Sequence, residues 1–255
     1  MAFRRIAEHR VVHVARCSMD SSSSSLSDAY EAGYRTRNPT SLRRWLRAYA
    51  AAISTTASLE TIRGGATGAQ GEKPAKSTTI PYRDVLERIW MLGPLPAWTP
   101  STKYLRRLNE APKHHVADPA LASRLLGATC DSLLVGERTS PTIVRDETVL
   151  GAPFDSLVAR SVRVFAQSCG ARVFHVRTKG AEREIDFIVE GSDGRVVALE
   201  VTLSRGVDSH DVGDLHWLER EVGDRGADAV VRSAGPDAYR RADGIAVVRA
   251  ALLGP

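Results

Sequence analysis

The sequence predicts a mixed α/β (α+β) protein in two parts, a helical module followed by a domain with a mixed sheet. Three observations predict it. In the first part apolar residues recur at helical spacing, as in Leu42, Trp45, Leu46, Tyr49 and Ile53. In the second part short runs rich in Val, Ile and Phe replace that period, and these suit a pleated, half-buried surface. The clearest runs are 184–190 and 195–202. Ser192-Asp193-Gly194 separates them, a tight turn in which Gly194 is free to take positive φ.

Taken in order, residues 1–38 show no sustained period and contain the five-serine run Ser21 to Ser25. Such a tract buries too little apolar surface to offset its ordering entropy, so the segment is expected to be a disordered or remnant leader, with a short strand over 10–14. Asn38 or Thr40 then caps a helix over 41–53. A second helix is expected over 58–63, ended by Gly64-Gly65, and a third over 78–91, with Pro81 tolerated in its first turn. Leu95-Pro96-Ala97-Trp98 is strand-like, and 103–109 reads as a short helix. Lys113 to Val116 is expected to be a strand, with His114 and His115 on a surface edge pointing to opposite faces. Asp118 precedes Pro119 and caps a helix over 120–126. Three helices and a short hairpin define a winged-helix-like module over 39–136.

The polar stretch 137–146 is the best internal boundary. The second domain spans 147–255: a helix over 154–166, strands over 172–176, 184–190 and 195–202, a helix over 210–222, and strands over 228–232 and 245–248. That order, α-β-β-β-α-β-β, gives a mixed sheet flanked by helices.

Apolar content of 43% and charged content of 25% are those of a globular protein. No run approaches the roughly 20 apolar residues that span a membrane, and Met1-Ala2-Phe3-Arg4-Arg5 lacks the apolar core of a secretory signal. Cys17, Cys130 and Cys169 are odd in number and widely spaced, which argues against a disulfide framework and for a cytoplasmic location. Residues 1–150 hold 21 Lys+Arg against 14 Asp+Glu, a net of +7, whereas 151–255 hold 14 against 16, a net of −2. The basic front is compatible with a polyanion. Arg43, Arg44, Arg47, Lys73, Lys76 and Arg83 are the candidate nucleic-acid contacts, through non-specific phosphate pairing rather than base reading. His114 and His115 are not expected to bind metal.

The acids of the sheet carry the chemistry. Asp186 sits inside one apolar run and Glu200 near the end of the next. An acid inside a buried strand is costly unless paired, hydrogen-bonded or on a metal, and two on adjacent strands would take a hard cation such as Mg²⁺. Salt bridges from Arg177, Lys179 or Arg183 are the bland alternative. An acid on one strand, then acid-spacer-lysine on the next, resembles the PD-(D/E)xK nuclease-like superfamily, whose core is restriction-endonuclease-like. Here the second strand ends Glu200-Val201-Thr202, so Thr202 stands at the lysine position.

From about Pro39 onward the chain also resembles the carboxy-terminal region of bacterial AAA-type ATPases, the domain of unknown function 4143. The resemblance rests on Thr78-Thr79-Ile80-Pro81-Tyr82-Arg83, Ala117-Asp118-Pro119-Ala120-Leu121-Ala122, Glu184-Ile185-Asp186, Leu199-Glu200-Val201 and Leu215-His216-Trp217-Leu218. It implies a site of Asp155, Asp186 and Glu200, with Asp155 in the first turn of its helix. It also implies an upstream nucleotide-binding domain. Gly71-Glu72-Lys73-Pro74-Ala75-Lys76-Ser77 lacks the second glycine of a phosphate-cradling loop and places Pro within it, so ATP is not expected as a ligand and the chain is expected to have lost its motor domain.

Thr202 cannot supply the positive charge that steadies a phosphoryl transition state. The favoured expectation is therefore a catalytically impaired nuclease-like module that binds nucleic acid or a protein partner. An active metal-dependent endonuclease and a non-functional remnant of a longer ATPase are the alternatives. No membrane partner is expected.

Overall fold

The computed structural model describes residues 38–68, 71–98, 111–129, 132–133, 150–178, 180 and 182–252. The expectations for the leader, for a helix over 103–109 and for the boundary at 137–146 lie outside these residues. The chain divides into two units, one of residues 1–93 and 114–156, the other of 94–113 and 157–255.

In the first unit helices form where the apolar period and a capping side chain agree. α1 (Pro39–Ala51) starts where Asn38 Oδ1 accepts the Ser41 amide at 3.0 Å. α2 (Leu59–Gly65) is capped by Ser58 and α4 (Pro119–Leu125) by Asp118, whose Oδ1 accepts the Ala120 amide at 2.9 Å. Each such cap stabilises by about 1 kcal/mol. The stripe Leu42, Trp45, Leu46, Tyr49 and Ile53 is buried together with Ile62, Tyr82 and Leu86. Trp45 lies against Tyr49 and Tyr82, at ring separations of 5.4 and 6.4 Å.

α3 (Lys76–Arg88) starts two residues before its expected first residue and ends three before its expected last. Its end is a reversal in which the Met91 amide bonds to Leu86 O at 2.9 Å and the Trp90 amide to Glu87 O at 3.1 Å, the pattern that normally places glycine in the left-handed position. Trp90 holds that position at φ +60, and the residue is 75% exposed.

His114 and His115 are not edge residues on the surface, as expected, but buried. His114 Nε2 donates to Ala57 O at 2.8 Å, and His115 Nδ1 lies 3.1 Å from Ser156 Oγ. Irregular backbone with single bridges, such as Leu92–Val116, surrounds them, and no period in the sequence announces its burial.

α5 (Gly151–Ser168) contains the division between the units, after Ser156. The second unit holds one six-stranded mixed sheet in the order β1-β2-β3-β4-β6-β5. β1 (Arg172–Arg177), β2 (Glu184–Glu190) and β3 (Val196–Thr202) are antiparallel neighbours, whereas β4 (Gly226–Ser233) and β6 (Ala246–Arg249) continue the sheet in parallel with β3. The β2–β3 turn is as expected: Gly194 takes φ +79 and the Gly191 amide bonds to Arg195 O at 2.9 Å.

β5 (Tyr239–Arg240) has only two residues and no period to betray it. α6 (Gly213–Val222) begins later than expected, because Asp208 and Asp211 accept nearby amides and hold the preceding residues in a turn. Its Leu215 and Leu218 pack on Ile185, Ile188, Ala198, Val231 and Ile245.

Candidate functional site

The site is assembled at one edge of the sheet. β1 is an edge strand, and unpaired edge amides are costly unless covered. The segment Leu95 to Trp98 covers it: the Trp98 amide donates to His175 O at 2.6 Å and the His175 amide to Pro96 O at 3.0 Å. Leu95 in turn exchanges two backbone hydrogen bonds with Lys113, at 2.8 and 2.9 Å. A second layer of backbone pairing therefore fixes Lys113 beside the strand.

Inside the sheet the register does the rest. Phe174 pairs with Ile188 and Val176 with Ile185, so His175 alone stands against Asp186 and Phe187. Two residues opposite one make a β-bulge, a device that re-aims side chains. On the other side Phe187 pairs with Leu199, and one further step brings Asp186 level with Glu200.

Three groups meet there. Lys113 Nζ lies 2.6 Å from Asp186 Oδ1 and 3.6 Å from Glu184 Oε1, with its side chain 3% exposed. Asp186 Oδ2 accepts the Val201 amide at 2.9 Å. The Asp186 and Glu200 carboxyls act on each other's titration, the Asp186 charge raising the Glu200 pKa. Burial raises the Asp186 pKa, but the Lys113 ammonium, together with hydrogen bonds that include the Val201 amide, outweighs it and holds the group below the usual carboxylate range. Burial and then the Asp186 charge push Glu200 well above it. Asp186 is thus the carboxylate paired with the ammonium, while burial and the Asp186 charge favour the neutral form of Glu200. His175 is held neutral. Burial, then the Lys113 charge, lowers its pKa to about 4, and its Nε2 donates to Ala111 O at 3.2 Å.

The structure brings Asp186 and Glu200 together. Thr202, at the end of β3, uses Oγ1 to accept the Ser204 amide. Asp155 is buried in α5, as the fifth residue of a helix that starts at Gly151, and so not in its first turn. It belongs to the first unit, whereas Asp186 and Glu200 belong to the second. The salt-bridge partners expected for the pair are engaged elsewhere: Arg183 with Asp214 at 2.8 Å and Arg177 with Glu184 at 3.5 Å. Lys179 is outside the described residues. Lys113, the cation that does reach the pair, was not expected there. It is 73 residues from Asp186 in sequence, and its only signal was a lysine standing in a strand-like run.

Mg²⁺ does not fit these groups as they stand. Both Asp186 oxygens are engaged by donors, burial and the Asp186 charge disfavour an ionised Glu200, and the described residues contain no cluster of three or more His, Cys, Asp or Glu arranged around an ion. Of the basic candidates in the first unit, Arg43 and Arg47 are exposed. Lys73 and Lys76 pair with Glu60, at 2.6 and 3.9 Å, and Arg83 pairs with Asp84 at 2.8 Å.

Residues 150–253 match the model of a domain of unknown function, DUF4143, and residues 24–132 match that of a second, DUF8612. The resemblance from Pro39 onward therefore holds for the sheet-bearing part, while a different family model covers the helical part. No curated protein matches the chain. Among solved structures the chain is similar to a half-complex from a tetradecameric assembly of Thermococcus gammatolerans McrB AAA+ hexamers with bound McrC. Identity is 12% and the TM-score 0.30, too low to define a shared fold. The match covers 82% of this chain and 46% of the other, so this chain spans about half of that one's length. Among the described residues no helix is long and apolar enough to cross a membrane.

Proposed function

We propose that this chain is a nuclease-like module that does not cleave and acts by binding, with nucleic acid or a protein as its partner. The DUF4143 match over 150–253 supports the resemblance to the carboxy-terminal region of AAA-type ATPases. The observation that carries the reading is the state of Asp186. Its Oδ1 is taken by Lys113 and its Oδ2 by the Val201 amide, while Thr202 fills the position where the resemblance implies lysine. A metal-dependent phosphodiesterase needs free carboxylate oxygens on the ion and a cation for the developing charge.

One observation favours the competing reading of an active endonuclease: a lysine from another segment does stand at the acid pair. The two readings part on plasmid cleavage with Mg²⁺ or Mn²⁺. The binding reading expects none from wild type, with Thr202→Lys the change that best restores it. Cleavage by wild type that Asp186→Ala abolishes would defeat it. A salt-sensitive gel shift, lost when Arg43, Arg44 and Arg47 become Ala, identifies nucleic acid as the partner; no shift at low salt leaves the protein partner.

A further inference from the structure

We propose that the Lys113 ammonium stands in for a divalent cation at the Asp186–Glu200 pair, an internal counter-ion that closes the site to Mg²⁺, so that removing it opens a two-carboxylate metal site. The inference rests on the non-cleaving reading above and gives that reading a physical cause.

The geometry is that of a cation among oxygens. Nζ lies between two carboxylates of the same strand, 2.6 Å from Asp186 and 3.6 Å from Glu184. An ammonium is a compact point charge with three donors, and hard oxygen ligands are those that Mg²⁺ and Mn²⁺ use. The side chain has almost no contact with solvent, 3% exposed, and a buried charge persists only where it is paired. Its position is not a matter of side-chain reach alone, because backbone bonds to Leu95 on both sides of Lys113 hold its Cα in place. The β-bulge of this strand pair falls at the same place, with Asp186 and Phe187 opposite His175. The second cation nearby, Arg177, is more exposed and is spent on Glu184 at 3.5 Å, so Lys113 alone neutralises Asp186 among the described pairs.

Titration calorimetry of the full chain with Mn²⁺ and Mg²⁺ tests this. Wild type should give no saturable heat up to millimolar ion. Lys113→Met, which keeps length and apolar stem, should bind Mn²⁺ at least tenfold more tightly and gain melting temperature as Mn²⁺ is added. Adding Glu200→Gln should remove that gain. Equal affinity in wild type and Lys113→Met, or no binding to either, overturns the proposal.

Should Lys113→Met fail to fold, the pair Asp186→Asn and Lys113→Met/Asp186→Asn decides. The double variant should melt higher than Asp186→Asn alone, since it no longer buries an ammonium whose nearest remaining carboxylate among the described pairs, Glu184, is 3.6 Å away; a lower melting temperature overturns the proposal. Mn²⁺ binding by a wild type that does not cleave would sink this inference and leave the binding function standing. Absence of any nucleic-acid or protein partner would sink the function and leave this inference.

Discussion

Two charge clusters in this protein have similar distances and opposite physics. In the first unit Glu60 gathers Arg63 at 2.5 Å, Lys73 at 2.6 Å and Lys76 at 3.9 Å. In the second, Lys113 gathers Asp186 at 2.6 Å and Glu184 at 3.6 Å. The Glu60 side chain is 48% exposed, that of Lys113 3%. Hydrogen bonds from Arg63 and Lys73 hold the Glu60 pKa down to about 2, yet water and salt screen those charges and the side chains are free to leave. At Lys113 neither escape exists. Contact distance therefore says little about worth, and burial decides whether losing one partner is tolerated.

The largest break in this contrast should come from Asp186→Asn. It removes the nearer carboxylate of a buried ammonium and leaves Glu184 at 3.6 Å, so urea unfolding should show a loss of about 3 kcal/mol; a loss of a few tenths would mean that the pair is as soft as the surface cluster. Next is pH. His175 is neutral when folded, with a pKa of about 4 against 6.5 for the free side chain. The unfolded chain therefore binds more protons between these values, and stability falls as pH drops through that window, by about 3 kcal/mol for the full shift. Glu200 acts with the opposite sign. Its folded pKa is raised, so the folded state binds more protons above the ordinary carboxyl range, and stability falls as pH rises through that higher window. Urea midpoints from pH 4 to 8 should show a His175 limb that His175→Gln removes.

Smaller is the effect of Glu200→Gln at neutral pH. An amide reproduces the neutral carboxyl that burial and the Asp186 charge favour, so the change should stay below about 1 kcal/mol. A large loss would mean that Glu200 is ionised. Smallest of all is Glu60→Gln, whose urea midpoint should not move measurably in physiological salt.

Much of this was legible in the residues. The turn at Gly194, the caps at Asn38 and Asp118 and the acids facing each other across β2 and β3 are local patterns, and local patterns are what periodicity and turn chemistry encode. The third member of the site is not local. Lys113 reaches Asp186 through an irregular segment that pairs with Leu95 by backbone alone, and backbone pairing leaves no trace in side-chain period. The bulge that contains Asp186 has the same origin, since register is a property of two strands and not of either sequence. The buried His114 and His115 were misplaced for this reason too: polar residues in irregular backbone look like surface until their partners, Ala57 O and Ser156 Oγ, are seen.

The reversal after α3 has a practical consequence. Trp45 and Trp98 are 2% exposed, whereas Trp90 is 75% exposed. An indole in water emits at longer wavelength than one in an apolar core, so Trp90 supplies the red edge of the intrinsic fluorescence. Its left-handed backbone is fixed by two hydrogen bonds to α3. Iodide quenching and a blue shift at that edge would therefore report, without any label, the moment another molecule covers the end of this helix.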